Sequence, residues 1–266
     1  MKIALAQMDI VWEDKEKNRK KVEGMIRQAK EEKTDLLLLP EMSLTGFSMN
    51  VKKIGEVRQK DGMCESEYRM KELAKKYEIA VGFGYVEKEK SKGKNHYIVL
   101  GKDGTLKSDY IKIHPFSYGK ENKYYEPGSQ IKIFSINEMR FGTFICYDLR
   151  FPELFTLSSE RAETLIVAAN WPRSRREHWT ALLKARAIEN QCYVLGVNRT
   201  GSGGGHCYAG DSMVIDPYGT ILGTLSEKEG IIFCEIDRKV VEKWRREFPQ
   251  KKDRKKNYKI FLDEKG

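Results

Sequence analysis

Residues 139–154, MRFGTFICYDLRFPEL, run from an apolar, β-branched stretch through one cysteine into a charged turn and a proline. Pro152 suits the first turn of a helix, where the N–H it lacks would have no intrahelical partner. The stretch reads as a buried strand, a tight turn and a helix, with Cys146 at the junction. Units of this kind build α/β folds, which gather their chemistry at strand ends. Most cysteines are small buried hydrophobes, so a thiol at a strand end asks for a reason.

The same alternation continues in both directions. KIALAQM (2–8) reads as a buried strand, and Val22, Met25, Ile26 and Ala29 then fall at i, i+3, i+4 and i+7, one apolar helix stripe. DLLLLPE (35–41) is a short continuous apolar run, as in a strand covered on both faces, and Met70, Leu73, Ala74 and Tyr77 repeat the helical spacing. Strands follow at 79–87, 95–101 and 105–112, the last two joined by a Lys-Asp-Gly turn, then at 163–170, 192–198, 211–217 and 230–236. Residues 176–190 and 238–248 carry helical patterns. No Pro/Gly/Ser linker divides the chain, so the expectation is one α/β domain over 1–266, a size near the upper end of what one core holds.

Composition narrows the function. No apolar run reaches the roughly 20 residues of a membrane span, and the start has no cationic leader before a long apolar block, so a cytoplasmic protein without a membrane partner is expected. Five cysteines without CxxC spacing fit neither a disulfide framework nor a zinc site. The net charge of +10 is spread along the chain, and its densest run, KKDRKKNYK (251–259), has no reader motif. Nucleic acid is therefore disfavoured as a partner, and the run reads as a solvated tail. GSGGGH (201–206) has no following Lys-Ser/Thr, so it reads as a flexible loop bordering a pocket and not as a phosphate cradle.

Three reactive side chains close strand-like runs: Glu41, Lys112 and Cys146. A carboxylate, an ammonium and a thiol brought together can cleave an acyl bond. The carboxylate takes the thiol proton, the thiolate attacks a carbonyl carbon, and the ammonium with a backbone N–H stabilises the oxyanion. His114, His178 and His206 have no metal-ligand spacing, and neither a metal nor another cofactor is expected. Cys192 and Cys234 lie in apolar runs and read as core, while Cys64 and Cys207, in polar surroundings, read as exposed. Arg186 falls on the stripe of Trp179, Leu182 and Leu183, so it faces inward and needs a carboxylate.

LLLLPEMSLTGF (36–47), YIKIHPF (110–116) and FICYDLRFPEL (144–154), in that order, resemble the Glu-Lys-Cys motifs of the nitrilase superfamily of carbon-nitrogen hydrolases. The likeness runs from IALAQ (3–7) to FPQKKDRKKNYKIF (248–261), and residues 167–219 resemble the ω-amidase branch. It implies a four-layer αββα sandwich, Glu41 as general base, Lys112 as oxyanion-stabilising cation and Cys146 as nucleophile. It also implies a second glutamate, Glu121 by spacing, with Glu126 in reserve. The implied substrates are small 2-oxo acid amides such as 2-oxoglutaramate or 2-oxosuccinamate. Their carboxylate calls for a guanidinium, with Arg150 and Arg175 as candidates, and Tyr147 and His178 as further substrate contacts. Finally, the resemblance implies a homodimer, paired through the helix after the cysteine, with the tail 249–266 laid across the partner. Another hydrolase of the superfamily, for nitriles or N-carbamoyl compounds, and a non-catalytic binding protein on the same scaffold are the competing readings.

Overall fold

The computed structural model describes residues 1–255. Leu36, Leu37 and Leu38 form a three-residue strand with no exposed side, and its neighbours show why. Side chains alternate across a strand. Leu36 and Leu38 enter the cluster lying between two sheets, whereas Leu37 and Leu39 meet Val22, Ile26, Met70 and Ala74 of two covering helices. Ile3 and Leu5 against Ala4 and Ala6 repeat the split one strand away.

Among the described residues, the first sheet has six strands in the spatial order β13 (Gly230–Glu235), β1 (Lys2–Gln7), β2 (Leu36–Leu38), β3 (Ala80–Glu89), β4 (Lys92–Leu100) and β5 (Leu106–Ile111). The second runs β10 (Thr200–Gly203), β11 (His206–Ile215), β9 (Tyr193–Asn198), β8 (Thr164–Ala169), β7 (Met139–Ile145) and β6 (Ile133–Ile136), with β12 (Ile221–Ser226) also on β11. Both have a parallel centre, β1–β2–β3 and β7–β8–β9, and antiparallel flanks. Helices α1 (Lys15–Glu31) and α3 (Glu65–Tyr77) cover the first sheet. Helices α5 (Pro152–Ser159) and α6 (Arg176–Asn190) cover the second through Phe155, Trp179, Leu183 and Ala187. Short α2 (Val51–Ile54) and α4 (Glu121–Tyr124) and the later α7 (Arg238–Glu247) complete the helices. The result is the expected αββα sandwich in a single domain.

Several expectations change. The GSGGGH segment is a β-hairpin: β10 pairs with β11, and Gly204 and Gly205 form its two-residue turn, both with the positive φ such a turn demands. Strands β6, β10 and β12 lie outside the strands expected from the sequence: β10, TGSG, has no apolar side chain but the Thr200 methyl, and β6 and β12 are short runs, IFSI and ILGTLS, interrupted by polar or glycine residues. Cys64 is fully buried, because its neighbours Glu56 and Glu67 turn inward as partners of the α3 N-terminus. Arg186 does face inward and finds Glu189 at 3.0 Å. Cys192 is buried and Cys234 half-buried at the core margin. Lys251, early in the tail, donates to Ser159 Oγ of α5 at 3.0 Å, so this part lies on its own chain and is not simply solvated. The tail beyond residue 255 lies outside the described residues.

Candidate active site

Strands β2 and β5 point the same way in one sheet, β7 and β8 run together in the other, and their C-terminal ends deliver Glu41, Lys112, Cys146 and Asn170. Each side chain is placed by a local device. After Pro40 the chain crosses β3 at Gly84, where a Cβ would come within 2.3 Å of Met42 N. Only glycine allows that approach, and Ser43 N bonding Gly84 O at 3.0 Å fixes it. Cys146 has φ +49°, a left-handed conformation that costs a residue with a Cβ on the order of 1–3 kcal/mol. The turn is held by fully buried Asp148, which accepts from Ile145 N (3.1 Å), His114 N (2.9 Å) and Tyr110 Oη (2.8 Å). Strain maintained in this way at a strand end lifts the thiol out of the sheet.

Lys112, 1 % exposed, is the hub of the cluster. Its Nζ donates to Glu41 Oε1 at 3.0 Å and to Glu121 Oε2 at 2.9 Å, and both carboxylates are fully buried. Glu121 also accepts from Phe116 N. Asn95 Nδ2 bridges the acids, at 2.8 Å from Glu41 Oε1 and 3.3 Å from Glu121 Oε1. The far oxygen of Glu41 accepts from Asn170 N at 2.9 Å, and Asn170 Nδ2 donates to Glu41 O at 2.7 Å. The Asn170 N–H also favours the thiolate form of Cys146.

The electrostatics follow from this packing. Burial disfavours the Lys112 charge, but Glu121 and Glu41, then Cys146, outweigh it and hold the ammonium well above the ordinary lysine range. Burial pushes the Glu121 carboxyl up; Lys112 opposes this and Glu41 reinforces it. Burial and then the Glu41 charge push the Cys146 thiol well above its usual value, against the pull of Lys112 and the Asn170 N–H. The buried sulfur therefore favours its thiol form.

A cavity of about 210 Å³ opens onto this sulfur. Cys146, Tyr147, Arg150, Asn170 and Arg175 line it together with aromatic rings, and His206 and Tyr208 bring the β10–β11 hairpin to its rim. The Arg175 guanidinium lies 5.5 Å from the Phe116 ring centroid and that of Arg150 lies 4.9 Å from Trp171. Among the described residues neither has a carboxylate at ion-pair distance, whereas adjacent Arg173 and Arg176 pair with Glu227 and Asp211. Exposed His178 stands beside Arg150, Nδ1 to Nη2 3.1 Å, and is not part of the cavity wall. Glu126 is remote from the cluster, exposed and paired with Lys92 at 3.0 Å. The described residues contain no His/Cys/Asp/Glu group suited to a metal ion, and none of their helices is long and apolar enough to cross a membrane.

Sequence reasoning missed Asn95, Asp148 and Asn170. Asn170 closes LIVAAN, the strand-end rule that picked out the other three, and Asp148 lies two residues past the thiol. Asn95 sits inside a strand and leaves no mark.

Residues 2–246 match the family of carbon-nitrogen hydrolases. The chain belongs to that family. Among its relatives are a 2-oxoglutaramate amidase of Bacillus subtilis, 35 % identical over 88 % of this chain and 90 % of that one, and the omega-amidase YafV of Escherichia coli, 32 % identical over 95 % and 96 %. XC1258 of Xanthomonas campestris, a CN-hydrolase superfamily protein crystallised with an arsenic adduct in its active site, superposes with a TM-score of 0.89 at 30 % identity, covering 97 % of this chain and 98 % of that one. This carbon-nitrogen hydrolase is thus an amidohydrolase of the nitrilase superfamily.

Proposed function

We propose that the protein is a cysteine-dependent ω-amidase, releasing ammonia from the terminal amide of small 2-oxo acid amides such as 2-oxoglutaramate or 2-oxosuccinamate. The observation that carries this is the pair of guanidiniums, Arg150 and Arg175, standing in the cavity that ends on Cys146 without carboxylate partners among the described residues. A substrate with a carboxylate at one end and an amide at the other meets a cation first and a nucleophile second. The names borne by the Bacillus and Escherichia relatives support the same substrate class.

In this mechanism Glu41 takes the Cys146 proton as sulfur bonds to the amide carbon, and the carbonyl electron pair moves onto oxygen. Lys112 and the Tyr147 N–H stabilise that oxyanion. Collapse breaks the C–N bond while Glu41 returns the proton to nitrogen, and ammonia leaves a thioester. Water, deprotonated by Glu41, attacks the thioester; the acid departs and the sulfur is reprotonated. Glu121 keeps Lys112 charged and aimed, Tyr147 packs the wall, and His178 steadies Arg150. Two copies pairing across α5, where Leu157 is 60 % exposed, and a cytoplasmic location for the five free thiols belong to the same reading.

Ammonia release from 2-oxoglutaramate, a simple nitrile and an N-carbamoyl amino acid, measured side by side, tests it. The 2-oxo acid amide should give the highest kcat/KM, and Arg150→Ala or Arg175→Ala should raise KM for it about 10-fold or more. Preference for the nitrile or carbamoyl compound overturns the reading.

A further inference from the structure

Asn170 is 4 % exposed, yet its side-chain oxygen has no hydrogen-bond partner among the described residues. Buried polar atoms are nearly always paired, and an exception calls for an explanation. Its orientation is fixed by chemistry: the group 2.7 Å from the carbonyl oxygen of Glu41 must be the donor Nδ2, so the acceptor Oδ1 is turned away from Glu41. Asn170 lines the cavity beside Cys146, and its own N–H bonds Glu41 Oε2 at 2.9 Å and favours the thiolate form of Cys146. Asn95 offers a contrast. Its Oδ1 is unpartnered as well, but it lies 1 % exposed behind the two carboxylates and outside the cavity wall.

We infer that Asn170 Oδ1 accepts an N–H of the scissile amide, making Asn170 the residue that reads the leaving group as nitrogen. The other groups at the sulfur are donors, Lys112 Nζ and the N–H of Asn170, or the carboxylate committed to the thiol proton. A carboxamide brings two N–H donors next to its carbonyl; an ester oxygen or a nitrile nitrogen brings none. A site holding a buried acceptor favours the substrate that satisfies it and penalises one that leaves it unpaired. Accepting one N–H also orients the nitrogen so that its lone pair can receive the proton from Glu41 when the C–N bond breaks.

The inference rests on the amidase reading above, and succinamate with its ester counterpart, monomethyl succinate, separates the two. Both present the same acyl group and the same carboxylate, and kcat/KM reports acylation, the step in which the leaving group differs. In Asn170→Ala, kcat/KM should fall at least about 10-fold further for the amide than for the ester, the worth of roughly one hydrogen bond. Asn170→Ser, which keeps a short acceptor, should recover part of the amide preference. If Asn170 served only to hold Glu41, amide and ester would lose equally, since both need the thiolate, and that result overturns the inference. A wild-type enzyme inert on both compounds and on 2-oxoglutaramate would instead break the substrate reading, and this one with it.

Discussion

Cys146 and Cys64 both lie among buried carboxylates, and the contrast between them shows what a reactive thiol requires. Cys64 is the residue preceding α3; its N–H bonds Glu67 at 2.8 Å, and Glu56 receives Ser66 N at 2.8 Å and Oγ at 2.6 Å. Those carboxylates cap a helix and are already satisfied. Burial, then Glu67, Glu56 and Glu87, push the Cys64 thiol up to about 12, and the residue is fully buried. Around Cys146 the acids share one ammonium, the backbone is strained to φ +49°, and a cavity opens. Neighbouring carboxylates suppress a thiolate at both places, and those around Cys64 have cations of their own, Lys15 on Glu56 at 2.8 Å and Arg58 on Glu67 at 3.2 Å. What sets Cys146 apart is an ammonium that acts on the sulfur itself and a path for substrate.

The contrast can be broken most sharply by removing each thiol. Cys146→Ala should cut ammonia release by at least about 10⁴-fold with the fold intact by circular dichroism. Next in size, Lys112→Met leaves two buried carboxylates without their cation and should cost about 3–5 kcal/mol in urea denaturation, part of it recovered in Lys112→Met/Glu121→Gln. Because Lys112 is held above its ordinary 10.5 in the folded chain, its contribution should be whole at neutral pH and vanish only as pH rises through the raised value. Glu121→Gln should lower turnover about 10²-fold. It should also shift iodoacetamide labelling of Cys146 to lower pH, since a negative charge that raises the thiol is gone; Cys64 should stay unlabelled, and a stationary curve would contradict the described field. The smallest effect belongs to Cys64→Ala, with unchanged kcat/KM and a stability loss of about 1 kcal/mol from the small void.

Much of this could be read in the sequence because period-2 and period-3.6 patterns are strong wherever both faces of an element are covered, as at Leu36–Leu38 and at Val22 to Ala29. Glu41, Lys112 and Cys146 stood out because each polar residue ends an apolar run. Asn95 did not, because inside β4 it resembles any half-buried strand residue, and its importance comes from contacts across 26 and 54 residues of sequence. Cys64 misled for a related reason: the polar residues around it are turned inward to cap α3, a long-range arrangement that local polarity cannot reveal. The β10–β11 hairpin was hidden by glycines that serve both a loop and a tight turn.

The most direct test of the central claim is mass spectrometry of enzyme quenched with acid during turnover of 2-oxoglutaramate. The peptide bearing Cys146 should carry the mass of the acyl group, and Cys146→Ala should show neither adduct nor ammonia. Ammonia released by that variant at the wild-type rate, or an adduct on any other side chain, would contradict it.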